Sequence, residues 1–104
     1  MHITDTHLDE TYVEGAKAEC AQPLCCRREN GMAGKGEKAA GKYGTLGWCD
    51  SNKLLIETLL ENIRDNHEDI PYVIWTGDSP SHKIWNQTKD DEKRATRRIN
   101  HLLR

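Results

Sequence analysis

The chain has 104 residues, 36% hydrophobic and 31% charged, with a net charge of −2 and no phenylalanine; its mean hydropathy is −0.85. That suits one domain or part of one, with thin apolar material for a self-sufficient core but not the composition of a disordered chain. The charge gives no reason to expect a nucleic-acid polymer or an anionic membrane surface as partner, and no apolar run approaches the roughly 18 residues of a membrane-crossing helix.

The opening run "HITDTHLD", residues 2–9, starts as a short strand over residues 2–5. Strand side chains alternate faces, so Asp5 and His7 are expected on one side, with Asp9 next in the series. A carboxylate beside an imidazole can grip a metal ion, although three polar groups in five residues also mark any solvated strand end. These first residues carry neither the basic nor the apolar segment of a signal peptide.

Residues 15–49 hold seven of the eight glycines and all four cysteines, and read as one long loop. Within it "NGMAGKGEKAAGKYG" has neither a periodic pattern nor the order of a phosphate-binding loop, and is expected to be a flexible linker. Cys20, Cys25, Cys26 and Cys49 lack the paired C-x2-C knuckles of a structural zinc site, which favours disulfides and an oxidising compartment. Joining the neighbours Cys25 and Cys26 needs a strained ring, so two pairings stay open.

"CDSNKLLIETLLENIRDN" turns helical, with Asp50 or Ser51 as the cap and Leu55, Ile56, Leu59, Leu60 and Ile63 as an apolar stripe. Pro71 stops it. "YVIW", residues 72–75, is a continuous apolar run, as in a strand buried on both faces. The turn-rich "TGDSPSH" follows, and "NQT" places an N-glycosylation acceptor at Asn86. A final helix from Thr88 sets Ala95, Ile99, Leu102 and Leu103 on one face, its basic residues forming a solvated surface. Trp75 is expected in the core, and Trp48 and Trp85 packed around the loop, with contact to substrate as the alternative for both.

The order predicts an α/β chain built on a strand–helix–strand unit with a parallel pair. In open α/β sheets functional groups gather beyond the carboxyl ends of the strands. Asp5 and His7 follow the first strand and Gly77-Asp78 the second, with His82 four residues on. Parallel neighbours therefore bring Asp5, His7 and Asp78 to one edge, a set that suits a divalent metal of the zinc type.

"D-T-H" followed by "G-D" at a strand end resembles the opening half of the calcineurin-like metallophosphoesterase pattern. The longer strings "YVEGAKAECAQPLCCR", "KYGTLGWCD" and "VIWTGDSPSHKIWNQT" are similar to the acid sphingomyelinase family, from residue 2 to about residue 90. "GDSPSH" leans also towards the related phosphodiesterases that act on nucleotides. The resemblance implies two zinc ions, with Asp5 and His7 on the first and Asp78 bridging to the second, and His82 near the leaving-group oxygen. It implies disulfides Cys20–Cys25 and Cys26–Cys49, a sphingolipid or other phosphodiester substrate, membrane contact through substrate alone, and a secreted or lysosomal setting. The family's later "GNH" and "GHxH" motifs do not occur here. Residues 1–104 are therefore expected to be the N-terminal part of a metallophosphoesterase-type sandwich with an incomplete sheet, inactive in isolation. A small disulfide-stapled binding module without catalysis is the competing reading.

Overall fold

The structure, a computed structural model, describes residues 1–103, without the side chain of Asn86. The glycosylation acceptor therefore lies outside the described residues. Strand β1 (His2–Ile3) pairs in parallel with β2 (Ile74–Trp75), His2 opposite Ile74 and Ile3 opposite Trp75. The first strand is shorter than the expected 2–5, because Asp5 turns into the left-handed region at φ 54°. Backbone pairing nonetheless continues past both strand ends. The amides of Asp5, His7 and Leu8 donate to the carbonyls of Gly77, Asp78 and Ser79 at 3.1, 3.3 and 2.8 Å.

Helix α1 spans Lys53–Asn66, and its cap is Asn52, whose side chain accepts the Leu55 amide at 2.9 Å. Asp50 and Ser51, the expected caps, instead belong to a segment laced to the first one. The Ser51 amide donates to the His7 carbonyl and the Asp9 amide to the Ser51 carbonyl. Helix α2 spans Lys89–Leu103. At its start the Thr88 hydroxyl accepts the Asp91 amide while the Asp91 carboxylate accepts the Thr88 amide, a reciprocal cap.

Leu8, Ile56 and Ile99 form the buried core between the helices and the site segment, with Leu60, Trp75, Leu102 and Leu103 packed against it. A second, smaller cluster of Ala18, Cys26 and Ala40, flanked by Tyr12 and Cys49, lies inside the glycine-rich excursion. Small side chains let its backbone segments approach closely. That excursion is not the expected flexible linker. Antiparallel bridges join Tyr12 to Arg27, Ala16 to Met32 and Lys17 to Ala39, and disulfides Cys20–Cys25 and Cys26–Cys49 staple it. Periodicity misses such a segment because its order comes from cross-links and isolated bridges rather than from a repeating face.

The expectation of a doubly buried "YVIW" also fails. Tyr72, Val73 and Ile74 are exposed and only Trp75 is half-buried. A two-stranded sheet has no layer on that side among the described residues. The whole is a slab of 47 × 32 × 16 Å, and its accessible surface of 7253 Å² exceeds by about 1,300 Å² that of a compact monomer of this size.

Candidate metal centre

Three segments meet at the carboxyl edge of the sheet: residues 5–9, 50–52 and 77–82. Each candidate ligand sits where the backbone leaves the ladder in an unusual conformation. Asp5, His7 and Asp78 have φ of 54°, 40° and 54°, and Cys26 is the other described residue apart from glycine with positive φ. Such conformations cost of order 1–2 kcal/mol each and gather at functional sites. Gly77, at φ 94°, supplies the reversal just before Asp78 that a side chain would resist. The alternation argument thus reached the right grouping by the wrong route. Asp5 and His7 face together because both residues turn left-handed, not because they continue an extended strand.

Ligand atoms of Asp5, His7 and Asp78 all lie within 4.8 Å of one another. His7 Nε2 is 3.3 Å from Asp78 Oδ2 and 3.8 Å from Asp5 Oδ1. Its Nδ1 lies 3.0 Å from the Pro80 carbonyl oxygen. A carbonyl only accepts, so Nδ1 carries the proton and Nε2 turns its lone pair towards two carboxylates. That arrangement is unfavourable unless a cation or a second ring proton sits between them. Ligating histidines are oriented in this same way, by donating the other nitrogen to a carbonyl. The Thr4 hydroxyl, 2.6 Å from Asp5 Oδ2, holds the Asp5 carboxyl below its usual range against the opposing effect of desolvation, and charge on His7 and His2 adds to this.

The donor set fits one divalent ion. Tetrahedral zinc with bonds of about 2.0–2.2 Å places its donors roughly 3.3–3.6 Å apart, close to the spacing around His7, and three protein ligands leave a fourth position open. It does not fit two ions, since three protein donors cannot complete two such shells. No other such cluster occurs among the described residues.

His82 lies beside this group, its ring stacked on that of His7 with centroids 4.1 Å apart. Asp50 holds it. The Asp50 carboxylate accepts from His82 Nδ1 at 2.6 Å and from the His82 amide at 2.7 Å. The sequence offered Asp50 only as a helix cap. The better signal was its place next to Cys49, at the end of a stapled loop returning to the sheet edge. Asp9, third in the opening alternation, turns inward to Arg27 at 3.2 Å and takes no part in the cluster. Trp48 and Trp85 do not pack around the loop as expected. Both are more than half exposed, and with Ile84 they line a cavity of about 480 Å³ that opens beside His82.

No protein-family model matches the chain. Over its full length the chain is 45% identical to a sphingomyelin phosphodiesterase B of Dictyostelium discoideum and 38% identical to the human sphingomyelin phosphodiesterase. A yeast endopolyphosphatase is 39% identical over 84 residues, covering 79% of this chain and 12% of the yeast protein. The chain spans 16% of the length of the two phosphodiesterases.

Proposed function

The chain is related along its whole length to one segment of the sphingomyelin phosphodiesterases, and on that premise we propose that it forms the metal-binding corner of a zinc-dependent phosphodiesterase domain. Asp5, His7 and Asp78 would together hold one ion, and a second ion would need donors beyond these three. Bound there, zinc supplies a water of lowered pKa as nucleophile and offsets charge on the phosphoryl oxygens. Asp5 and Asp78 bring the negative charge that retains the ion, and His7, fixed through Pro80, sets its position. His82 stands on the leaving-group side and gives its proton to the departing oxygen. On sphingomyelin the products are ceramide and phosphocholine. The two disulfides support an oxidising, secreted or lysosomal setting, with membrane contact through the lipid substrate.

The convergence of Asp5, His7 and Asp78 carries this reading. Its test is zinc titration of the oxidised chain, in which one ion per chain is expected and Asp5→Asn, His7→Ala or Asp78→Asn each abolishes stoichiometric binding. Failure of the unaltered chain to bind zinc sinks the proposal. So does binding that survives loss of His7. The isolated chain should not turn over substrate, since three donors leave the second shell incomplete. Likeness to an endopolyphosphatase favours a second reading, in which the whole protein cleaves polyphosphate. Comparing sphingomyelin vesicles with polyphosphate as substrates of the whole protein separates the two.

A further inference from the structure

We propose that Asp50 is a positioning residue for the reaction, fixing the ring of His82 so that Nε2 alone exchanges the proton with the leaving group; this rests on the reading of His82 given above. The Asp50 side chain is 5% exposed, whereas that of His82 is 63% exposed. An exposed histidine in a turn has two rotatable bonds and two tautomers open to it. Three contacts remove that freedom. Asp50 Oδ2 takes the His82 amide at 2.7 Å, which fixes the backbone. Oδ1 takes the Nδ1 proton at 2.6 Å, which fixes the ring's rotation and its tautomer. The His7 ring, 4.1 Å away and inclined by 26°, fixes its plane against the metal cluster.

Asp50 itself is held from two sides. Cys49 before it is bonded to Cys26, and Ser51 after it is bonded through its backbone to His7 and Asp9. In the reaction, water oxygen forms the new bond to phosphorus and the bond from phosphorus to the leaving oxygen breaks. The Nε2 proton moves to that oxygen as it departs, the attacking water gives up its proton to solvent, and Nε2 takes a proton back from solvent before the next turnover. The Nδ1 proton stays with Asp50 throughout, so the carboxylate orients and stabilises but is not consumed.

The experiment compares two phosphodiesters in the whole, metal-loaded protein: one with an alkyl alcohol as leaving group, and one with p-nitrophenol, which departs as a stable anion without a proton. Asp50→Asn keeps the side chain's size but presents an amide N–H to Nδ1 or loses one of the two acceptors. It is expected to lower kcat on the alkyl ester by about 10²-fold, within the range for general acid catalysis, and on the nitrophenyl ester by less than about 3-fold. KM and zinc content should not change. His82→Ala should show the same split, and the double variant should be no slower than His82→Ala alone. Nitrogen-15 shifts of His82 should report loss of the Nδ1–H form in Asp50→Asn. An equal loss on both esters, or an unaltered tautomer, overturns the role of Asp50 while His82→Ala keeps its split. If His82→Ala itself shows no dependence on the leaving group, the underlying reading of His82 falls as well, and the two failures are told apart.

Discussion

Arg27 is the sharpest place to test how the stapled excursion is tied to the site segment. It is 2% exposed, and its Nε meets the 4%-exposed Asp9 at 3.2 Å. Thr11 donates to Asp9 from both amide and hydroxyl, and Arg27 Nη1 reaches Glu29 at 2.7 Å. Removing one member of such a pair strands the other without its partner, at a cost of about 3–5 kcal/mol, whereas replacing both with apolar side chains is often neutral. Arg27→Met should therefore speed exchange of the amides of Val13, Ala18 and Ala40, which bond to Cys26, Lys38 and Ala16. At about 1.4 kcal/mol per tenfold, the expected acceleration is roughly 10²- to 4 × 10³-fold. Arg27→Met with Asp9→Leu should recover most of that protection. Native-state exchange on the oxidised protein reads this locally, without requiring one cooperative unfolding step. A single variant changed by less than about 5-fold would refute the reasoning, as would a double variant that exchanges as fast as the product of the two single effects.

Two smaller perturbations address the helix starts. Asn52 caps α1 and also donates to the Lys42 carbonyl at 2.8 Å. Asn52→Ala should cost about 1–2 kcal/mol and speed exchange in the first turn of α1 about tenfold; unchanged exchange there would contradict the assignment of the cap. At α2, hydrogen bonds from the Thr88 backbone, and then from its side chain, hold the Asp91 carboxyl below its ordinary value of 3.8. The unfolded chain therefore binds the proton more readily, and the cap's contribution is present above that value and lost as pH falls through the lower folded one. Carbon-13 shifts at residues 88–92 should move towards coil values below about pH 4, and Asp91→Asn should remove that dependence.

The parts of the fold carried by repeating patterns were legible. The α1 and α2 stripes deliver Ile56 and Ile99 to the core, and the parallel pair forms as the strand–helix–strand order requires. What escaped was order without a period. The bridges that fix residues 16–39 connect single residues across loops, and nothing in "NGMAGKGEKAAGKYG" announces them. "YVIW" was misjudged because burial belongs to the neighbours of a strand, and a two-stranded sheet supplies few. At the candidate site, residue types pointed to Asp5, His7 and Asp78 at one edge, where the structure gathers them with His82 alongside, since carboxylates and histidines after strand ends carry a chemical signature. Asp50 carries the same chemistry, but its sequence position is equally that of a helix cap. Only the return of the Cys26–Cys49 loop to the sheet edge separates the two roles.

The strain at the candidate ligands leads to one further expectation. Three left-handed residues cost together roughly 3–6 kcal/mol, and two carboxylates facing the His7 lone pair add repulsion. Without a cation, the paired segments 5–8 and 77–79 should therefore be the least stable part of the ladder, although Leu8 beneath them is buried. Zinc at a hundred times its dissociation constant stabilises the bound form by about 2.7 kcal/mol, or roughly 10²-fold in exchange rate. The gain should appear at the amides of Asp5, His7 and Leu8, which bond across to Gly77, Asp78 and Ser79. Val13, Ala18 and Ala40 belong to the other cluster and should keep their rates. Asp78→Asn should remove the response while leaving those three amides as they were. Equal slowing in both regions would mean that zinc acts on the chain as a whole, and the strain at Asp5, His7 and Asp78 would then not be what the metal relieves.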